Sequence, residues 1–145
     1  MKPIDHYSYQ CGVIDCFNEM LRAGLKRIAL SHPASSAGER DVLIPFSREI
    51  CQKYGTHFYV EDQPLLTDLF PISLNLGKFH LIYWKEEADL AEYLKIKADK
   101  ERLILQKAYT GESRRQIARR FGLLLSYPAT GIDRLILENL EPEQI

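Results

Sequence analysis

Phe79-His80-Leu81-Ile82-Tyr83-Trp84 is the most apolar window of the chain and carries its strongest β composition. Six residues are far too few to cross a bilayer. Asn75 to Lys78, turn chemistry around Gly77, sets off its start. The window therefore reads as a buried strand. Two earlier runs resemble it. Thr56-His57-Phe58-Tyr59-Val60 is rich in β-branched and aromatic residues. Lys26-Arg27-Ile28-Ala29-Leu30-Ser31 lies between Gly24 and His32-Pro33, and Pro33 pushes His32 out of the helical region.

Amphipathic stretches separate the runs. Val13, Phe17, Met20 and Leu21 recur at helical spacing over Tyr7 to Gly24, and Gly24 suits a left-handed C-terminal cap. Phe46, Ile50 and Tyr54 form an i, i+4, i+8 stripe closed by Gly55, with Asp41 as a possible cap and Pro45 near the first turn. Pro64 and Pro71 bracket Leu65 to Phe70, which could hold one short helix. Glu86 to Lys107 reads as a long helix with an apolar face at Leu90, Tyr93, Leu94 and Ala98. Its acidic start and basic end suit the helix dipole. Further helices are expected at Glu112 to Leu125 and at Asp133 to Leu140.

Helices alternating with strands imply parallel pairing through crossovers. The expectation is an α/β fold, with a small, mostly parallel sheet of three to four strands flanked by helices and a helical C-terminal third. A fourth strand would fall around Ile72 to Leu76. All 145 residues are read as a single α/β domain, with a sheet-forming part at 1–85 and a helical part at 86–145.

Composition narrows the function classes. The chain is 46% apolar and 27% charged, which fits a globular domain and argues against disorder. A net charge of −1 supplies no global field to steer nucleic acid or an anionic membrane. Three cysteines, Cys11, Cys16 and Cys51, do not make a secreted disulfide framework. Met1 to His6 has no apolar run behind a basic start, so no signal peptide is expected. A cytoplasmic setting with free thiols follows.

Ligands of open parallel sheets bind beyond the carboxyl ends of the strands. Those ends would supply Ser31, His32, Ser35 and Ser36, then Glu61 and Asp62, then Lys85, Glu86 and Glu87. His32 and Asp62 would face one crevice. Arg114, Arg115, Arg119 and Arg120 give the densest charge, and guanidiniums suit anions. The ligand-binding set expected for a small anionic ligand is therefore His32, Asp62, Arg115, Arg119 and Tyr127. The arginine helix would be a lid or wall.

The same residues have plainer uses. Ser, His, Asp and Glu at strand ends are ordinary turn and cap chemistry. A charge run is usually a solvated, salt-bridged helix face. His6, Cys11 and Cys16 do not converge at tetrahedral spacing, so no metal is expected. No nucleophile elbow, His-Glu-x-x-His pair or phosphate-loop lysine is present, and no cofactor or reaction is implied.

Phe121-Gly122-Leu123-Leu124-Leu125-Ser126-Tyr127-Pro128 resembles a signature of small prokaryotic families of unknown function. In these a helix runs into Leu-Gly-Tyr-Pro, then a small residue and two cysteines. The likeness covers Phe79 to Ile132. Ser126 stands in place of the glycine, and Thr130-Gly131 in place of the cysteines. The resemblance implies no activity. It places Tyr127 at a helix end near the arginines.

Two other function classes remain. The helix at 86–107 could pair two copies as a homodimer. The arginine face at 114–120 could hold nucleic acid, since Gln116 to Leu123 resembles the start of a helix-turn-helix. However, Leu124 to Pro128 intervenes where a recognition helix should begin.

Overall fold

The structure is a computed structural model and describes residues 2–145. The elements in chain order are α1 (His6–Arg22), β1 (Ile28–Leu30), α2 (Ala37–Asp41), α3 (Ile44–Tyr54), β2 (His57–Glu61), α4 (Ile72–Asn75), β3 (His80–Trp84), α5 (Glu87–Leu105), α6 (Gly111–Leu124) and α7 (Ala129–Glu138). They fall into two compact units. The first holds the residues up to Gln63 together with Gly77–Lys85. The second holds Pro64–Leu76 and Glu86–Ile145.

The first unit is built around the Phe79 to Trp84 window. Among the described residues the sheet has the order β1-β3-β2, and β3 is antiparallel to both neighbours. This corrects the expected mostly parallel sheet of three to four strands. The reason lies between β2 and β3. A parallel return must carry the chain back along the whole sheet, usually on a crossover helix. The 62–79 connection has prolines at 64 and 71 and only the four-residue α4, and it re-enters at the end where β2 left. Glu61 consequently pairs with His80. The fourth strand expected at Ile72 to Leu76 is replaced by α4, and Leu65 to Phe70 is irregular, with a turn at Asp68-Leu69, rather than a helix.

Both faces of β3 are withdrawn from solvent. His80, Leu81, Ile82 and Tyr83 are each no more than 2% exposed. Leu81 and Tyr83 join Ile14 and Leu21 of α1, Leu43, Ile50 of α3 and Ala29 of β1 in one core. A polar seam runs through it. The Ser47 and Tyr83 hydroxyls lie 2.8 Å apart, and Thr56 Oγ1 donates to Asn18 Oδ1 at 2.7 Å. Such buried groups fix the register of α1 and α3 because an unpaired one is costly. Gly55 ends α3 at φ 70°, as its position predicts. Asp41, expected to cap α3, instead ends the short α2, which Ser36 caps through its Oγ accepting from Glu39 N at 3.0 Å; α3 starts after Leu43 without a side-chain cap.

The second unit is helical. Tyr93 and Ile96 of α5 are buried, as are Ile117, Phe121 and Leu124 of α6 and Ile132 of α7. Ala98, expected on the apolar face of α5, is exposed, and Lys100 is buried instead. α6 and α7 approach so closely that a Cβ on Gly122 would lie 2.6 Å from Ile132. α6 ends in a Schellman turn: Tyr127 N donates to Gly122 O and Ser126 N to Leu123 O, both at 3.0 Å. Ser126 takes the left-handed φ of 69° that glycine adopts freely. No helix among the described residues is long and apolar enough to cross a membrane.

Candidate functional site

Since β1 and β2 both run against β3, their carboxyl ends flank the start of β3 at one end of the sheet. Ser31-His32, Glu61-Asp62 and His80 gather there. Lys85, Glu86 and Glu87 leave from the opposite end. The crevice shared by three strand ends is thus reduced to two ends plus the beginning of the third.

A buried ionic cluster organises this end. Arg40 of α2 is 4% exposed. Its Nη1 donates to Asp62 Oδ1 at 2.7 Å and to the Glu61 carbonyl at 3.1 Å, while its Nε donates to Asp41 Oδ1 at 2.9 Å. The guanidinium plane also lies 5.6 Å from the Phe79 ring centroid. A planar five-donor fork suits such divergent acceptors, which an ammonium would not. His80 is 2% exposed, and its Nδ1 lies 3.1 Å from the Ser31 carbonyl. Burial pushes its pKa down, against the Ser31 hydrogen bond and the attraction of Glu61, with His32 and Arg40 adding to the depression. Glu61 is 2% exposed, and one of its carboxylate oxygens accepts from Gln63 N at 2.9 Å.

Beside this cluster is a cavity of about 270 Å³ between α1 and the end of β1. Val13, Ile14, Phe17 and Leu30 give it apolar walls; Gln10, Ser31 and His32 give it polar ones. Helical spacing on α1 sets Val13 and Phe17 on the wall together. Ser31 is held from two sides. Its Oγ accepts from Leu81 N at 2.8 Å, which leaves its own proton to donate, and its carbonyl is engaged by His80. The Lys26 ammonium stands 5.3 Å from the Phe17 ring centroid. The space is slightly smaller than the usual ligand pocket, a range that starts near 300 Å³.

The comparisons add no relative. No family model, curated protein or solved structure matches the chain. Function therefore has to be read from the side chains alone.

The five residues expected to bind ligand fall in different units. His32 and Asp62 belong to the first. His32 is exposed and lines the cavity, whereas Asp62 is committed to Arg40. Arg115, Arg119 and Tyr127 belong to the second. Arg115 pairs with Glu112 at 3.0 Å; Arg119 pairs with Glu112 at 2.9 Å and with Asp133 at 3.2 Å. Arg114 is bidentate on Asp68, and Arg120 bridges Glu92 and Asp99. Each of the four arginines thus has a carboxylate partner. Tyr127 is half-buried, its ring edge-on to Phe70 at 6.3 Å. Arg119 lines a dimple of only about 80 Å³.

Sequence reading did not find Arg40, His80, Gln10, Val13 or Phe17 as site residues. His80 sits within a strand, where a satisfied core imidazole is the ordinary outcome. Arg40 directly precedes Asp41, the expected cap, and lies outside every helix and strand pattern. A signal was present: Gln10 is a polar residue within an otherwise apolar helical face, three positions before Val13.

Proposed function

We propose that the first unit binds a small molecule with an apolar body and an acidic head in the cavity between α1 and β1. The observation that carries this reading is the lining itself: apolar walls on one side and three hydrogen-bonding side chains, Gln10, Ser31 and His32, on the other. A few fixed polar groups over an apolar floor are the usual make-up of ligand sites. The acidic head is inferred from the donors. The Ser31 hydroxyl proton and the Gln10 amide can both donate to a carboxylate, and Lys26 over the Phe17 ring adds positive potential.

The arginines of α6 are left out of this site, since carboxylates already hold them. The same pairing leaves little net positive charge for a phosphate backbone. Three free cysteines, two of them buried, support a reducing cytoplasmic setting.

The test uses anilinonaphthalene sulfonate as fluorescent probe, displaced by benzoate, phenylacetate and hexanoate. Saturable displacement with a Kd of about 1 mM or tighter is expected. Val13→Trp should abolish it by filling the cavity, and His32→Ala should weaken it several-fold. If Val13→Trp remains folded and binds the probe like the parent chain, the reading fails.

A further inference from the structure

In the second unit, residues 139–145 run without regular structure. The segment reads Asn139-Leu140-Glu141-Pro142-Glu143-Gln144-Ile145, and it is held in the manner of a bound peptide. Its backbone gives two carbonyls: Glu141 O accepts from Ile72 N at 2.9 Å, and Glu143 O from Arg114 Nη2 at 2.7 Å. The Asn139 amide donates to the carbonyls of Asp68 and Phe70 at 3.1 and 3.2 Å. The Glu143 carboxylate accepts from Lys100 Nζ at 2.7 Å.

The receiving surface is specialised. Lys100 is 8% exposed, and its other partner is the Leu66 carbonyl at 2.7 Å. Lys100 Nζ and Arg114 Cζ stand 5.5 and 5.0 Å from the centroid of the buried Tyr109 ring. Lys100 is the cation that meets the Glu143 carboxylate, while Arg114, already bidentate on Asp68, offers a guanidinium N–H to the Glu143 backbone carbonyl; together they form a socket for a glutamate and its main chain. The segment, by contrast, brings no apolar anchor. Leu140 is 92% exposed and Ile145 65%.

We propose that this socket is an acidic-peptide site which the 139–145 segment fills in cis and from which another acidic peptide can displace it in trans. The strap leaves Leu140 and Ile145 largely in solvent, so it opens more readily than the packed helices, and the main cost of opening is the Lys100–Glu143 pair. When it opens, Lys100 is left as a buried cation without its carboxylate, an unfavourable state that a second acid relieves. The partner chemistry is thus an extended peptide with a glutamate placed as Glu143 is. Recognition of acidic motifs by basic clusters is a recurrent mode of this kind.

The experiment uses the full chain carrying Glu143→Gln, titrated against a fluorescein-labelled peptide of the 139–145 sequence and followed by anisotropy. Saturable binding is expected, at least tenfold tighter than to the parent chain, whose own glutamate competes at high effective concentration. Glu143→Gln in the peptide, or high salt, should cost at least tenfold. No binding to a Glu143→Gln chain with unchanged circular dichroism overturns the proposal, as does equal binding to both chains. Should that variant not fold, amide exchange in the parent chain decides. The Ile72 amide should exchange much faster than α6 core amides and slow down with excess peptide. Exchange as slow as the core, or unaffected by peptide, overturns it.

Discussion

Arg40 in the first unit and Arg115 and Arg119 in the second are held in opposite ways. Arg40 in the first unit is buried, and its partners converge on it from β2 and its own helix. In the second unit Arg114 and Arg120 are part-buried on Asp68, Glu92 and Asp99, whereas Arg115 and Arg119 lie on an exposed face of α6. Arg115 is paired one turn away, while Arg119 reaches Glu112 and Asp133 at a largely exposed surface. In sequence the α6 run is conspicuous and Arg40 is a single letter. In energy the order is reversed, because exposed ion pairs contribute little and buried ones cannot lose a partner cheaply. Charge density in a sequence thus says where solvent is, and an isolated charge beside a strand can say where the constraint is.

Removing Arg40 tests this most sharply. Arg40→Ala strips a donor from the buried Glu61 carbonyl and leaves Asp62 and Asp41 without their cation. A loss of about 2–3 kcal/mol is expected in denaturant unfolding, less than a fully buried pair would lose because both carboxylates face solvent. Arg40→Lys should recover only part of this, since one ammonium cannot serve the diverging acceptors. A loss below 0.5 kcal/mol, the ordinary range for surface changes, would erase the contrast between the units.

His80 gives the next effect. Its folded pKa lies below the unfolded value near 6.5. As pH falls below that value the unfolded imidazole takes up a proton that the folded one resists. The stabilisation from neutral, buried His80 is therefore complete above pH 6.5 and is lost as pH falls towards the folded pKa. The groups facing it are Glu61 from β2, His32 from the loop after β1 and Arg40 from α2. Between pH 7 and 5 the parent chain should lose stability more steeply than His80→Gln. Parallel curves would show that the depression is not there.

How much of this was legible follows from where the information resides. The strands and long helices were readable because apolar spacing is a local property: Ile28 to Leu30, His57 to Val60 and the Phe79 window all lie in strands. Strand direction was not. It is decided by the 62–79 connection, whose residues have no strong period, and by pairing between residues 19 to 27 apart in sequence. The site was half visible. A strand-end rule for parallel sheets put His32 in one crevice with Asp62; His32 instead lines a cavity against α1 that lacks Asp62. Arg40 could not be found, because its acceptors at Glu61 and Asp62 are set by a fold that sequence spacing does not encode.

Ser126 shows a smaller, local legibility. It stands where the resembled signature has glycine, and it adopts the left-handed conformation at φ 69°. An L side chain there costs about 1 kcal/mol relative to glycine. Ser126→Gly should therefore raise the stability of the chain by up to that amount. A decrease would mean that the serine side chain contributes more than its backbone strain removes.

The weakest effect is the most telling for the second unit. Glu112 is exposed and accepts from Arg115, Gln116 and Arg119 at once. Hydrogen bonds from these neighbours, Gln116 first, hold its carboxyl below the usual range. By count of contacts it is a hub, comparable with Arg40. Yet each partner is reached through solvent, where water and salt can replace what is lost. Glu112→Gln should leave the thermal midpoint unchanged within the error of a scan at physiological salt. It should also leave the Arg115 and Arg119 side chains more available, so a rise in salt-sensitive retention on a polyanion column is expected alongside unchanged stability. If Glu112→Gln instead unfolds the chain as readily as Arg40→Ala, the α6 ladder carries structural weight. The distinction between a buried organising charge and a solvated face would then fail.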